Sequence, residues 1–118
     1  MTGNGKMAIA SDLTYGPRGQ TPESLRTLAE YLELSLDNGT CVVMMRHGTE
    51  VCSVYVGDQA VKQDNLTRLG TISAAVADEI LALTQAGVNR IAVGDQTYRF
   101  VRSFTHVANV GAVVFGPT

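Results

Sequence analysis

The sequence predicts a single α+β domain of the order αββαβββ, with a five-stranded antiparallel sheet. The chain has 118 residues, which is the length of one ordinary domain. Two segments carry apolar residues at the three- and four-residue spacing of an amphipathic helix. Five short runs rich in apolar and β-branched residues are separated by turn residues, as strands are.

Composition narrows the class of protein. Apolar residues make up 45% of the chain, charged residues make up only 17%, and the net charge is −2. These values exclude a disordered chain, and two cysteines are too few for a disulfide framework. No segment has the pattern of a signal peptide or a membrane span, so we expect a cytoplasmic protein without a membrane partner. A nucleic-acid-binding domain is usually far more basic.

The chain begins with a segment that lacks periodicity. Residues 1–20 contain four glycines and Pro17, and we interpret them as a flexible arm ahead of one domain at 21–118. A helix is predicted at 22–37, because Thr21 can cap it and Pro22 suits its first turn. Residues 37–39, Asp-Asn-Gly, end this helix. Its apolar stripe consists of Leu25, Leu28, Leu32 and Leu36.

A hairpin and a second helix come next. Strands are predicted at 40–45 and 50–57, with the turn at 46–49. The second helix is predicted at 67–86, where small residues allow close packing and Gly87 is the expected terminator. Its apolar stripe consists of Leu69, Ile72, Val76, Ile80 and Leu83.

Three strands are predicted at the end of the chain, at 89–94, 97–104 and 107–115, joined by tight turns at 95–96 and 105–106. The strands at 40–45 and 107–115 are apolar on both faces, which favours central positions covered on both sides. Placing these two strands side by side gives the strand order 2-1-5-4-3. One helix is then expected on each face, and the strands at 50–57 and 89–94 become the edges.

This element order, the alanine-rich second helix ending at Gly87 and the closing three-strand meander resemble the roadblock/LC7 domains of the profilin-like and longin-like group. The resemblance covers residues 21–115 and implies a non-catalytic dimerising module. It also implies that the second helix and the third strand form the dimer surface.

Low charge, a small-residue helix and an edge strand at 89–94 favour the same function. We therefore predict a protein-interaction module that binds a second copy of itself or another protein, without a cofactor or metal. The predicted interaction residues are Leu69, Ile72, Val76, Ile80, Leu83, Arg90, Ile91 and Val93.

One alternative is a Cys/His enzyme, because an imidazole beside a thiol lowers the thiol pKa. His47 lies in the predicted turn near Cys52. With His47 and Gly48 as the two central turn residues, Cys41 and Cys52 share a face but sit diagonally, at the ~7–8 Å of diagonal neighbours, which is too far for a disulfide. Buried, unreactive thiols are the preferred interpretation.

A second alternative is a nucleic-acid-binding domain that uses the strand at 97–104. Aromatic and arginine residues alternate there, as in a surface on which bases stack. The strand pattern places Tyr98, Phe100, Arg102 and Phe104 on one face and Arg99 on the other. We interpret the aromatic row as part of the core, with Arg102 at its end, and expect no nucleic-acid binding.

Overall fold

A computed structural model describes residues 12–14, 22–36, 39–58 and 66–118, which form two helices and seven strands. The seven strands form one sheet in the order β1-β5-β6-β7-β2-β3-β4. All pairs among strands β2 to β7 are antiparallel, and β1 pairs with β5 in parallel. The elements are β1 (Asp12–Thr14), α1 (Glu23–Leu36), β2 (Cys41–His47), β3 (Val51–Gly57), β4 (Thr67–Ser73), α2 (Ala74–Leu83), β5 (Gly87–Val93), β6 (Gln96–Val107) and β7 (Val110–Gly116).

The predicted α+β class is confirmed, and so is the relative order of the five predicted strands. In the sheet they lie side by side in the order β3, β2, β7, β6 and β5. The prediction of a five-stranded sheet is wrong, because β4 extends the antiparallel sheet to six strands and the short β1 adds a parallel strand beside β5.

The first predicted helix is confirmed as α1. The leucines of its stripe at Leu25, Leu28 and Leu32 are buried. Beyond its end, Gly39 has φ of +67°, the left-handed conformation that glycine tolerates. The backbone N–H and the hydroxyl of Thr40 both donate to the carbonyl of Ser35, at 3.0 and 2.9 Å. Local residues therefore determine where α1 stops.

The second predicted helix, at 67–86, is wrong in its first third and at its end, because residues 67–73 form β4 and α2 ends at Leu83. Gly70 and its β-branched neighbours have low helix propensity, and the outer side of β3 needs a hydrogen-bonded partner. Ser73 is the N-cap of α2, since its hydroxyl accepts a hydrogen bond from the Val76 N–H at 3.1 Å. The Ala74 N–H donates to the Glu50 carbonyl at 2.8 Å, which ties the strand-to-helix junction to the neighbouring turn.

The expectation of one helix on each face is also wrong. Leucines of α1 and Ala77 and Ile80 of α2 belong to one buried cluster with Val42 and Met44 of β2, and the two helices contact each other. We call this side of the sheet the helix face. With only ten residues, α2 covers little area alone, so it completes a common layer beside α1. On the opposite face, Tyr55 and Leu66 pack against a second buried cluster, which consists of Cys41, Val43, Met45, Val107, Ala112 and Val114.

The edges of the sheet differ from those predicted. The strand expected at 89–94 is paired with β1 at residues Arg90 to Ala92, and β3 is paired with β4. Strand β4 is therefore the last strand on one side. Of the segment 1–20 that we interpret as an arm, only Asp12–Thr14 are among the described residues, where they form β1; the rest lies outside them.

All three predicted hairpin turns are displaced. The turn expected at 95–96 is Gly94-Asp95, because Val93 pairs with Gln96. In the first hairpin His47 pairs with Val51, so residues 48–50 form the turn and the pairing is shifted from the expected one. Strand β6 continues to Val107, and the turn to β7 is Ala108-Asn109, both with positive φ (51° and 68°). Two such residues match the right-handed twist of a tight hairpin. No helix within the described ranges is long and apolar enough to cross a membrane.

Candidate functional site

The predicted interaction residues do not form one exposed surface. Ile80 and Ile91 are buried at 1% and 0% exposure, so they belong to the core. Four others are partly buried against that core: Ile72, Val76, Leu83 and Val93. Only Leu69 and Arg90 are exposed. They lie on β4 and β5, near opposite edges of the sheet. Apart from Leu69, the apolar stripe of the predicted second helix therefore packs inward.

The exposed side of α2 is small and acidic rather than apolar. It carries Ala75, Asp78, Glu79 and Ala82. The Asp78 carboxylate accepts a hydrogen bond from the Arg46 guanidinium at 2.7 Å, and both side chains are exposed. Such a surface ion pair contributes little to stability. An apolar patch for a partner is not present on this helix.

Strand β4 presents an open edge. It pairs with β3 on one side, and no other strand within the described ranges pairs with its outer side. Four of its side chains are exposed besides Leu69, and only Arg68 among the seven residues is charged. The register shifts next to Leu69, because Val54 pairs with Gly70 whereas Tyr55 pairs with Arg68. Among the described residues, no strand pairs with the outer backbone N–H and C=O groups of β4, and such groups can pair with a further strand.

The two cysteines lie on opposite faces of the sheet. A turn centred on His47 and Gly48 would pair Cys41 with Val54, but Cys41 pairs with Gly57. The register of the hairpin is therefore shifted by three residues, and an odd shift moves side chains to the other face. Cys52 lies in the cluster of the helix face and Cys41 in the other cluster. Both are buried and free, so the preferred interpretation of unpaired, buried thiols is confirmed, whereas the expectation of a shared face is wrong.

The cysteines and His47 do not form a nucleophile and base. His47 lies six residues along the strand from Cys41, about 20 Å away at ~3.3 Å per residue. It lies on the face opposite Cys52, whose strand partner is Arg46. Burial raises the pKa of both thiols; Asp58 also raises that of Cys41, and at Cys52 Arg46 opposes the rise while Asp78 adds to it. Raised pKa values favour protonated, unreactive thiols.

The aromatic row of β6 is divided between core and surface. Phe100 is fully buried and packs edge to face against Phe115, with ring centroids 5.7 Å apart. Tyr98 is half-buried, whereas Phe104 is 65% exposed, so the prediction that all three aromatic residues belong to the core is wrong for Phe104. A buried Phe100 is inaccessible to a nucleobase, so this arrangement does not favour the nucleic-acid alternative.

Arg102 holds the end of α2, a role that the sequence pattern did not indicate. Its Nη1 donates to the carbonyls of Leu81 and Thr84 at 3.0 and 2.9 Å and to the Thr84 hydroxyl at 2.8 Å. A cation is favourable there because the last carbonyls of a helix carry partial negative charge. In the part of the chain that the structure describes, no three His, Cys, Asp or Glu side chains are grouped to hold a metal ion.

Comparisons with family models, with curated proteins and with solved structures each return no match. The resemblance to roadblock/LC7 domains therefore stays a prediction. The feature that sequence analysis missed is the open β4 edge. Two signals could have revealed it: Gly70, which is poor in a helix interior, and Ser73, which is a favoured N-cap residue.

Proposed function

We propose that this protein is a non-catalytic association module that forms a homodimer by pairing the β4 strands of two copies. The observation that supports the proposal is the open edge of β4, seven residues long, at the end of the sheet. Unpaired strand edges are templates for a further strand, whether from another protein or from a second copy. Natural proteins block such edges with charges, a proline or a β-bulge. Strand β4 has one charge and no proline, and its register shift is confined to one position, next to Leu69.

The sequence of β4 suits pairing with itself. In an antiparallel pair centred on Gly70, Arg68 of one copy faces Ile72 of the other, and Leu69 faces Thr71. The two arginines are therefore not directly opposite each other. Two like charges directly opposite would destabilise the pair. A two-fold axis through the centre of this pair gives a closed dimer, the commonest symmetry of soluble oligomers. The sheets of the two copies would become continuous.

The dimer is expected to be weak. A backbone hydrogen bond contributes a net ~0.5–1.5 kcal/mol, and association costs about 4–15 kcal/mol in lost translational and rotational freedom. One pair of seven-residue strands offsets that cost only narrowly. We therefore expect a micromolar or weaker dissociation constant and a mass that depends on protein concentration.

The test measures molar mass by light scattering from low micromolar to about 500 μM protein, a range that covers weak dimers. The Leu69→Lys variant adds a charge beside Arg68 on the edge and is expected to weaken the dimer at least tenfold. Val110→Lys is the matched control, because Val110 has similar exposure (40% against 37% for Leu69) but lies beside the β6–β7 turn.

The proposal is wrong if the unaltered protein stays monomeric throughout this range. It is also wrong if Val110→Lys weakens the dimer as much as Leu69→Lys, because the β4 edge would then not be the interface. A monomer that binds a strand of another protein at β4 would keep the edge as a docking site but remove the homodimer.

A further inference from the structure

A cleft of about 300 Å³ lies on the helix face, between the end of α2 and strands β6 and β7. Its wall is mostly apolar, with Arg102 and Ser103 as its polar residues, and it lies far from the β4 edge in strand order. The lining residues are Leu81, Ala86, Arg102, Ser103, Phe104 and Val113.

Arg102 is held in this cleft by one end of its guanidinium. Nη1 makes all of its hydrogen bonds, which go to Leu81 and Thr84 at the end of α2. Across residues 22–36, 39–58 and 66–118, no carboxylate forms an ion pair with Arg102, and Nη2 and Nε make no hydrogen bond. The fork of N–H donors that arginine offers to carboxylates is therefore half unused, at a half-buried position beside apolar side chains.

Phe104 forms an exposed aromatic wall of the cleft. It is 65% exposed, so its ring contributes little to the core. The ring lies over Gly111, where a Cβ atom would stand 2.9 Å from it, and it packs edge to face against His106 with centroids 5.3 Å apart. With Leu81 and Val113 the ring forms one continuous apolar wall, and a concave apolar surface with few polar groups is typical of a ligand site.

We propose that this cleft binds a small monocarboxylate with an apolar tail. The carboxylate accepts hydrogen bonds from Nη2 and Nε of Arg102, and the tail lies against Leu81, Val113 and the ring of Phe104. At ~30 Å³ for each non-hydrogen atom, the cleft holds about ten such atoms. Octanoate has this size and chemistry. The proposal does not depend on pairing through β4.

The first test is a titration with octanoate, followed by amide and methyl NMR shifts. A ligand of this size in a small open cleft is expected to bind with a high micromolar to millimolar dissociation constant. The shifts should be concentrated at Leu81, Phe104 and Val113. 1-Octanol has the same tail without the charge and should bind at least tenfold more weakly. The proposal is overturned if 1-octanol binds as tightly as octanoate, or if millimolar octanoate causes no shift at these residues.

The second test uses surface variants that leave the hydrogen bonds of Arg102 Nη1 in place. Ala86→Glu puts a carboxylate at the rim of the cleft, where it competes for Arg102, and should weaken octanoate binding at least tenfold. Ala75→Glu is the matched control, since Ala75 is also an exposed alanine but lies at the other end of α2. Equal affinity of the two variants would overturn the proposal.

A third variant tests the aromatic wall. Phe104→Ala should weaken binding several-fold because it removes apolar contact with the tail. Val88→Ala is its control, because Val88 is 58% exposed and its side chain lies on the opposite face of the sheet. If Phe104→Ala binds octanoate as the unaltered protein does, the tail does not lie in this cleft and the proposal is wrong.

Discussion

The two helices lie side by side on the same face of the sheet, but different interactions hold them. Helix α1 buries Leu25, Leu28 and Leu32. Residues adjacent in sequence form its ends: the Pro22 carbonyl accepts hydrogen bonds from the backbone N–H groups of Leu25 and Arg26, and Thr40 donates to the Ser35 carbonyl. Helix α2 buries only Ala77 and Ile80 fully, and strands and turns elsewhere in the chain hold its ends.

Two of the residues that hold α2 come from distant parts of the sequence, and a third lies just after the turn that follows the helix. Glu50 of the first hairpin accepts a hydrogen bond from the Ala74 N–H, and Arg102 of β6 bonds to the carbonyls at the C-terminal end. Asn89 of β5, buried at 1% exposure, bonds to the turn that follows the helix. Packing thus contributes most to the stability of α1, whereas polar contacts with neighbouring elements position α2.

The largest expected effect concerns the packing of α1. We expect Leu28→Ala to lower the free energy of unfolding by about 2–5 kcal/mol, because it leaves a cavity in the shared core. Leu34→Ala on the same helix, where Leu34 is 57% exposed, should cost less than about 1 kcal/mol. Urea unfolding measures both. Equal losses would show that burial does not distinguish the two faces of α1.

The second effect concerns the turn after α2. The Asn89 side chain accepts from the Gln85 N–H at 3.0 Å and donates to the carbonyls of Gln85 and Gly87 at 2.7 and 3.1 Å. Asn89→Ala leaves these groups without their partner, and we expect a loss of about 2–3 kcal/mol.

The control for this turn is Gln85→Ala, which removes only an exposed bond to the Val88 carbonyl and should cost less than about 1 kcal/mol. Amide exchange of residues 85–89 should quicken in Asn89→Ala and stay slow in the control. Unchanged exchange in Asn89→Ala would mean that the turn holds without this side chain.

The smallest expected effect concerns the start of α2. Ser73→Ala removes the hydroxyl that caps the Val76 N–H, and we expect a loss of about 1 kcal/mol. Ser73→Asp keeps an acceptor at the N-cap and should retain the stability of the unaltered protein. Urea unfolding separates the two variants. No loss in Ser73→Ala would show that the cap is not needed and that the junction with Glu50 holds this end; an equal loss in both variants would show that the loss does not come from the N-cap acceptor.

The contrast between the helices explains which parts of the fold were predictable. The helix α1, its buried Leu25, Leu28 and Leu32 and the glycine after its end lie within one continuous stretch of residues, and they were predicted correctly. The predicted cap Thr21 lies outside the described residues. Residues 67–86 also carry a continuous apolar stripe, yet the first part pairs with β3 as β4. Leu69, Ile72 and Val76 have helical spacing, which does not show that the side of β3 away from β2 needs a second strand partner. That requirement comes from β3, which is a different segment of the chain.

The candidate sites divide in the same way. The arginine and aromatic residues of β6 were visible in the sequence, but alternation along the strand did not show that Phe104 is exposed whereas Phe100 is buried. The identity of the open edge depends on β1 and β4, neither of which was predicted. The cysteines were predicted to be buried, because free cysteine behaves as a small apolar side chain. The face on which each one lies depends on the register of the hairpin, which the turn at residues 48–50 sets.

By itself, the sequence determined the α+β class, the helix α1 and the neighbours of the five predicted strands, because apolar periodicity and turn residues act over a few positions. Only the tertiary structure decided the sixth antiparallel strand, the face on which α2 packs and the side of the sheet on which each cysteine lies. A strand face reverses with a shift of one residue, and a helix end can be held by an arginine eighteen positions away, as Thr84 is held by Arg102. Such choices depend on contacts between distant residues, which no local pattern specifies.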